Sequence, residues 1–165
     1  DNQYLHFSAA HFTIFSASER ERLHGHNFSV RARAKSQVQA DGLAFNYQIL
    51  KQALHKVCDS LDEYTLIAKD SPHLHIGEKG EYFSVEFAGQ KMLLLQSDTL
   101  LLPIPNITLE SLGSYMIECL KQEGLFEKAA IETLELEISS GPGQRVTSFC
   151  SPGRPLPLAT RKQNQ

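Results

Sequence analysis

From His24 to Ala34 the chain alternates without a break. His24, His26, Phe28, Val30, Ala32 and Ala34 share one parity, and Asn27, Ser29, Arg31 and Arg33 share the other. Side chains of a strand alternate between its two faces, whereas a helix would spread the same residues around its whole circumference. The run is therefore a long strand with one apolar face, and that face needs a second layer to cover it. Leu5, Phe7, Ala9 and His11 repeat the pattern upstream, across the polar stretch from Ser16 to Arg22. Two sequential antiparallel strands are the simplest arrangement, and they turn His11, His24 and His26 toward the apolar side.

The covering layer is helical. Asn46 is suited to cap a helix in which Leu50, Ala53, Leu54, Val57, Cys58 and Leu61 recur at helical spacing. Thr108 is suited to cap a second, with Leu109, Leu112, Tyr115, Met116, Cys119 and Leu120 as its apolar stripe and Gly124 just past its end. Between them, Tyr82 to Ile104 reads as strand, with a hairpin turn at Ala88-Gly89-Gln90 and a break at Ser97-Asp98. Leu134, Leu136 and Ile138 give a late strand, closed by Gly141-Pro142-Gly143. The expectation is a single α+β domain over 1–150, with about 73–102 as an inserted hairpin and a flexible Pro-rich tail over 151–165.

The formal net charge is −3 and the lysines and arginines are scattered, which argues against nucleic acid as a partner. The longest apolar run, Met92 to Leu95, is too short to cross a membrane. No leading segment pairs a basic start with a long apolar stretch, so secretion is not expected. Cys58, Cys119 and Cys150 are widely spaced and odd in number, which fits free thiols in a reducing cytoplasm better than a disulfide framework.

The histidines carry the chemistry. A buried imidazole that leaves a ring nitrogen without a partner costs about 1–3 kcal/mol, and three protonated rings together would repel. One bound cation, taking a nitrogen from each, removes both penalties. A lone His-x-His is more often packing than a ligand pair, but a third histidine on the neighbouring strand strengthens the case. Three neutral histidines with an open fourth position make a catalytic zinc site.

Phe7-Ser8-Ala9-Ala10-His11 followed by His24-Gly25-His26-Asn27-Phe28 resembles the zinc-binding signature of the 6-pyruvoyltetrahydropterin synthase and 6-carboxytetrahydropterin synthase family. Gly42 to Tyr47 with Leu50-Lys51, Leu61-Asp62, and Thr108-Leu109-Glu110 resemble further family motifs in the same order. The resemblance implies a T-fold, an antiparallel sheet with two helices on one face. It implies a homo-oligomeric barrel, commonly a hexamer, with zinc on His11, His24 and His26. The implied substrate is a pterin, typically 7,8-dihydroneopterin triphosphate, in routes to tetrahydrobiopterin, queuosine or folate.

Three places depart from the family pattern. No cysteine stands in 16–23, where the family keeps its general base; Glu21, three residues before His24, resembles the branch in which a glutamate replaces it. That branch cleaves the side chain to give 6-hydroxymethyl-7,8-dihydropterin. Otherwise Glu19, Arg20, Glu21 and Arg22 form a solvated charged loop. Asp62, which the resemblance casts as supporting proton transfer beside Glu21, is kept, but Glu63 replaces the histidine after it; His55, His73 and His75 are available substitutes at no matching position, the last two as readily placed on an exposed loop. The glutamate that anchors the pterin edge falls at Ile138, so Glu137 reaches that edge only through a bulge; Glu110, beside Thr108, is the other carboxylate suited to the task. The rival readings are a zinc T-fold enzyme acting on a different related substrate, and a non-catalytic pterin-binding paralogue.

Overall fold

The computed structural model describes residues 5–151; the expected tail lies outside them beyond residue 151. Strand β1 (Leu5–His11) and strand β2 (His24–Lys35) form the antiparallel pair read from their alternation, with Leu5 opposite Val30 and His11 opposite His24. Helix α1 (Tyr47–Asp59) starts at Asn46, whose side chain accepts a hydrogen bond from the Gln48 amide. Strand β3 (Tyr64–Ala68) follows, then β4 (His75–Lys79), β5 (Tyr82–Phe87), β6 (Gln90–Leu95) and, after a short 3-10 turn, β7 (Thr99–Leu102). Helix α2 (Leu109–Gln122) starts at Thr108, whose hydroxyl accepts from the Ser111 amide. A short helix α3 (Leu125–Lys128) leads to β8 (Thr133–Gly141) and β9 (Gln144–Cys150).

The main sheet runs β7-β3-β1-β2-β8-β9, and the helices cover one of its faces. Phe7, Phe28, Leu66, Leu112, Met116, Ile117, Leu120, Leu134, Leu136 and Ile138 are all at most 1% exposed between the two layers. Each such side chain contributes about 1.5–3 kcal/mol by leaving water. The opposite face of β2 and β8 is polar, with Arg31 3.8 Å from Glu137 and Arg33 3.7 Å from Glu135. Among the described residues no helix is long and apolar enough to cross a membrane.

The sheet is mixed rather than wholly antiparallel. β1–β2, β2–β8 and β8–β9 are antiparallel, but β3 runs parallel to both β1 and β7. Parallel neighbours need a long crossover. Helix α1 supplies the first, and the segment between β3 and β7 supplies the second. That segment is a three-stranded antiparallel sheet, β4-β5-β6, where the alternation suggested a hairpin. In β4 only Ile76 is a large apolar residue, so no periodicity marks it as a strand. Ala88 and Gly89 both adopt positive φ at the β5–β6 turn, the twist a tight hairpin requires. The small sheet closes over a second core of Phe12, Ile14, Ile67, Leu74, Val85 and Phe87.

Gly113 lets α2 lie close to β9. A Cβ there would fall inside contact distance of Ser148 Oγ and 3.3 Å from Ser148 Cβ, in a site where that hydroxyl is buried with no hydrogen-bond partner. Gly113→Ala is expected to lower stability by about 1–2 kcal/mol, overpacking outweighing the better helix propensity of alanine. Adding Ser148→Ala should restore most of the loss in a denaturant titration. An unchanged midpoint in the single variant would show that β9 moves away freely.

Candidate metal centre

The β1–β2 register places His11 directly opposite His24, with His26 one pleat further along the same face. Phe28 continues that face and packs edge-on against both His11 and His26 at 5.6 and 5.7 Å. The rings of His11 and His24 are 4.8 Å apart, those of His24 and His26 4.8 Å, and those of His11 and His26 5.3 Å. One nitrogen from each lies within 4.8 Å of the others, and this is the group of possible metal-binding side chains found among the described residues.

The backbone fixes which nitrogens face the centre. His11 Nδ1 sits 3.1 Å from the Ile107 carbonyl and His24 Nδ1 sits 2.7 Å from the Arg22 carbonyl. A carbonyl can only accept, so both Nδ1 atoms carry the hydrogen and both Nε2 atoms keep a lone pair. His11 Nε2 is buried with no partner. His24 Nε2 is 3.0 Å from His26 Nε2, a contact that needs a proton or a cation between them. An orphaned buried lone pair beside two crowded ones is what a cation bound through nitrogen would satisfy, so the residues fit zinc.

The surroundings of His11 and His26 disfavour their charged forms. Burial lowers the pKa of His11 from its ordinary 6.5; the Ile107 hydrogen bond opposes this, and the neighbouring His24 and His26 add to it. Burial, then His24, lower that of His26.

The segment between β1 and β2 is an irregular hairpin in which Glu19 and Arg22 are exposed while Arg20 and Glu21 are partly buried. Ile14 bridges Arg20, the Glu21 amide donates to the Thr13 carbonyl at 2.9 Å, and Glu21 Oε2 accepts from the Thr13 amide at 2.9 Å. Glu21 is thereby turned into the histidine cavity. Burial pushes its carboxyl up, but the hydrogen bonds from Thr13 and the nearby His24 and His11 outweigh that, leaving it below its usual value of 4.5. It is a carboxylate at neutral pH.

The cavity encloses about 940 Å³ and is lined by His11, His24, His26 and Glu21, by Thr108 and Glu110 at the start of α2, and by the β8–β9 turn. The fold therefore brings the three expected metal-binding histidines, Glu21, Thr108 and Glu110 to one place. Two other expected site residues lie elsewhere. Asp62 is not in the cavity wall; its Oδ1 accepts from the Ser8 amide at 2.6 Å and so ties the β3 entry to β1. Glu63 beside it is exposed, at positive φ. Glu137 points to the polar face, paired with Arg31, because the register shift in β8 falls between Ser139 and Gly141, too late to turn it inward. His55, His73 and His75 are also outside the cavity, and His75 lies on β4 rather than a loop.

Asn106 and Arg145 belong to the wall and were not anticipated. Asn106 clamps the hairpin, accepting from the Ile14 amide at 3.0 Å and donating to the Ile14 carbonyl at 2.8 Å. It contacts residues about ninety positions away, so no local pattern could announce it.

Residues 2–149 match the family model for 6-pyruvoyl tetrahydropterin synthase. A protein of Methanocaldococcus jannaschii, provisionally described as a 6-carboxy-5,6,7,8-tetrahydropterin synthase, is 26% identical over 145 residues, 85% of this chain and 86% of that protein. The crystal structure of 6-pyruvoyl tetrahydropterin synthase from Plasmodium vivax superposes with a TM-score of 0.82 at 29% identity, over 89% of this chain and 92% of that one. A variant of the Plasmodium vivax enzyme in which a glutamate, described as a catalytic residue, is replaced by alanine superposes at 0.79 with 28% identity over the same shares.

Proposed function

This chain belongs to the 6-pyruvoyl tetrahydropterin synthase family, and from that premise we propose that it is a zinc-dependent lyase acting on 7,8-dihydroneopterin triphosphate or a close relative. The observation that carries the reading is the convergence of three histidine lone pairs and one ionised glutamate on a single cavity. His11, His24 and His26 would hold the metal, which when bound polarises a hydroxyl or carbonyl oxygen of the substrate.

Glu21 is the base. A solved relative, the Plasmodium vivax enzyme, has a catalytic residue described as a glutamate, which supports this role. The chemistry that suits a carboxylate base is cleavage of the bond between the first two side-chain carbons. Glu21 takes the proton of the second carbon's hydroxyl, that carbon leaves as an aldehyde with the phosphates attached, and the electron pair passes into the pterin ring. A proton returned to the first carbon gives 6-hydroxymethyl-7,8-dihydropterin. Thr108 and Glu110 hold the planar edge, the carboxylate accepting two parallel hydrogen bonds. Strands β7 and β9, which end the sheet among the described residues, are where copies would join into the oligomeric barrel, and free thiols at Cys58, Cys119 and Cys150 suit a reducing cytoplasm.

Zinc-loaded protein, with its metal content measured, is expected to convert 7,8-dihydroneopterin triphosphate to the hydroxymethyl product by mass spectrometry. No turnover by fully loaded protein would sink the lyase reading.

Zinc binding should also depend on pH with a definite sign. The ligand rings must be neutral, and His11 and His26 are held below 6.5. Protonation of His11 and His26 is therefore expected to weaken zinc binding only below the pH at which free imidazole would do so. Apoprotein stability shares that sign: the unfolded chain binds more protons in the window between the lowered values and 6.5, so stability drops as pH falls through it. Competition titrations with a chromogenic chelator and denaturant midpoints across pH 5–8 check both.

A further inference from the structure

Arg20 occupies a place that the proposed reaction does not explain. It is half-buried, and its guanidinium carbon lies 4.9 Å from the centre of the Phe12 ring and 5.6 Å from that of Phe87. Nη1 donates to the Glu21 carbonyl at 2.7 Å, and Nη2 approaches Met92 Sδ at 3.9 Å. Its partners are thus two aromatic rings, a thioether and one backbone carbonyl. Phe87 and Met92 stand on β5 and β6 of the small sheet, Phe12 on the outgoing arm of the hairpin, and Glu21 on the returning arm. A planar cation can stack on rings while donating in its own plane, which a lysine ammonium cannot do.

We infer that Arg20 is a positioning residue through which the β4-β5-β6 sheet holds Glu21 against the three-histidine centre. Three observations meet in this. The hairpin is not a regular ladder: Ile14–Arg20 is an isolated bridge, and its other backbone bonds run from Phe15 and Ser16 to the Glu19 carbonyl and from Glu21 to the Thr13 carbonyl. The Glu21 carbonyl is taken by a side chain whose other contacts are all to the second core. That core exists because the inserted sheet covers Phe12 and Ile14. The insertion is accordingly a brace for the base, and Arg20 is the link between them. The part that concerns turnover rests on the proposed lyase reading; the part that concerns how Glu21 is held does not.

The test uses zinc-loaded protein carrying Arg20→Lys, Arg20→Ala and Phe87→Leu. Turnover of 7,8-dihydroneopterin triphosphate is expected to fall on the order of 10-fold in Arg20→Lys and 100-fold in Arg20→Ala, the scale of a displaced catalytic group. KM and zinc content should hold. The same changes in a Glu21→Gln background should produce no further loss, because Arg20 acts only through Glu21. Amide hydrogen exchange gives a readout independent of activity: Thr13 and Glu21 amides should exchange faster in Arg20→Ala and Phe87→Leu, with the Phe28 and Val30 amides unchanged. An equal loss of turnover in the Glu21→Gln background, or unchanged exchange at Thr13, overturns the inference. Wild-type protein without turnover but with the expected exchange pattern refutes the lyase reading and supports the brace.

Discussion

His24→Ala purified from zinc-supplemented cells is expected to lose stoichiometric zinc, its affinity falling more than about 100-fold. Removing even an outer hydrogen-bond partner of a zinc ligand costs 10–100-fold, and this change removes the ligand. The geometry makes His24 the most informative of the three. Its Nδ1 is tied to the Arg22 carbonyl and its Nε2 lies 3.0 Å from His26 Nε2, so it is held by the backbone at one end and faces the histidine cluster at the other. It is also less buried than His11, so its truncation leaves a smaller hole in the core. The variant should fold, and added zinc, which is expected to raise the melting temperature of the wild type, should leave that of the variant unchanged. His55→Ala, outside the cavity on α1, serves as the control that keeps full zinc. Retention of one zinc per chain in His24→Ala would refute the assignment.

The parts of this molecule legible in the sequence are those written in short-range periodicity. Alternation through β2 put His24, His26 and Phe28 on one face, and the structure has them in contact there. Asn46 and Thr108 cap the helices they were read as starting, because a cap is chosen within three residues. What escaped depended on distant contacts. Strand β9 turns Ser148 inward, a polar residue tolerated there because Gly113 makes room, so its alternation is not hydrophobic. The parallel pairing of β3 follows from where the crossovers pass, which no residue of β3 encodes. Asp62 looked like part of the site because of the motif around it, yet its carboxylate reaches the backbone of β1, fifty-four residues earlier. Glu137 hung on where a bulge falls, and a one-residue difference in its position decides the face. Arg20 read as one charge in a charged run until Phe87 and Phe12 enclosed it.

Glu21→Gln is expected to lower turnover by about 10²- to 10⁴-fold while leaving zinc content, KM and melting temperature close to those of the wild type. The substitution is nearly isosteric, and the amide oxygen can still accept the hydrogen bond that the Thr13 amide now gives to Oε2. What the amide cannot do is take a proton. The hairpin should keep its shape, since the backbone bond from the Glu21 amide to the Thr13 carbonyl and the Arg20 contact to the Glu21 carbonyl do not involve the side chain. Glu21→Asp separates position from chemistry: it keeps the carboxylate but draws it back by one methylene, away from the Thr13 amide. It should fall between wild type and Glu21→Gln, as expected for a base whose placement matters. Single-turnover measurements with zinc-loaded protein distinguish the steps, because a base acting in bond cleavage slows the chemical phase and leaves substrate binding intact. If Glu21→Gln turns over at more than about half the wild-type rate, the proton goes elsewhere. The role would then pass to Glu110, the other carboxylate in the cavity wall, and Glu21 would be left as the pin that holds Thr13.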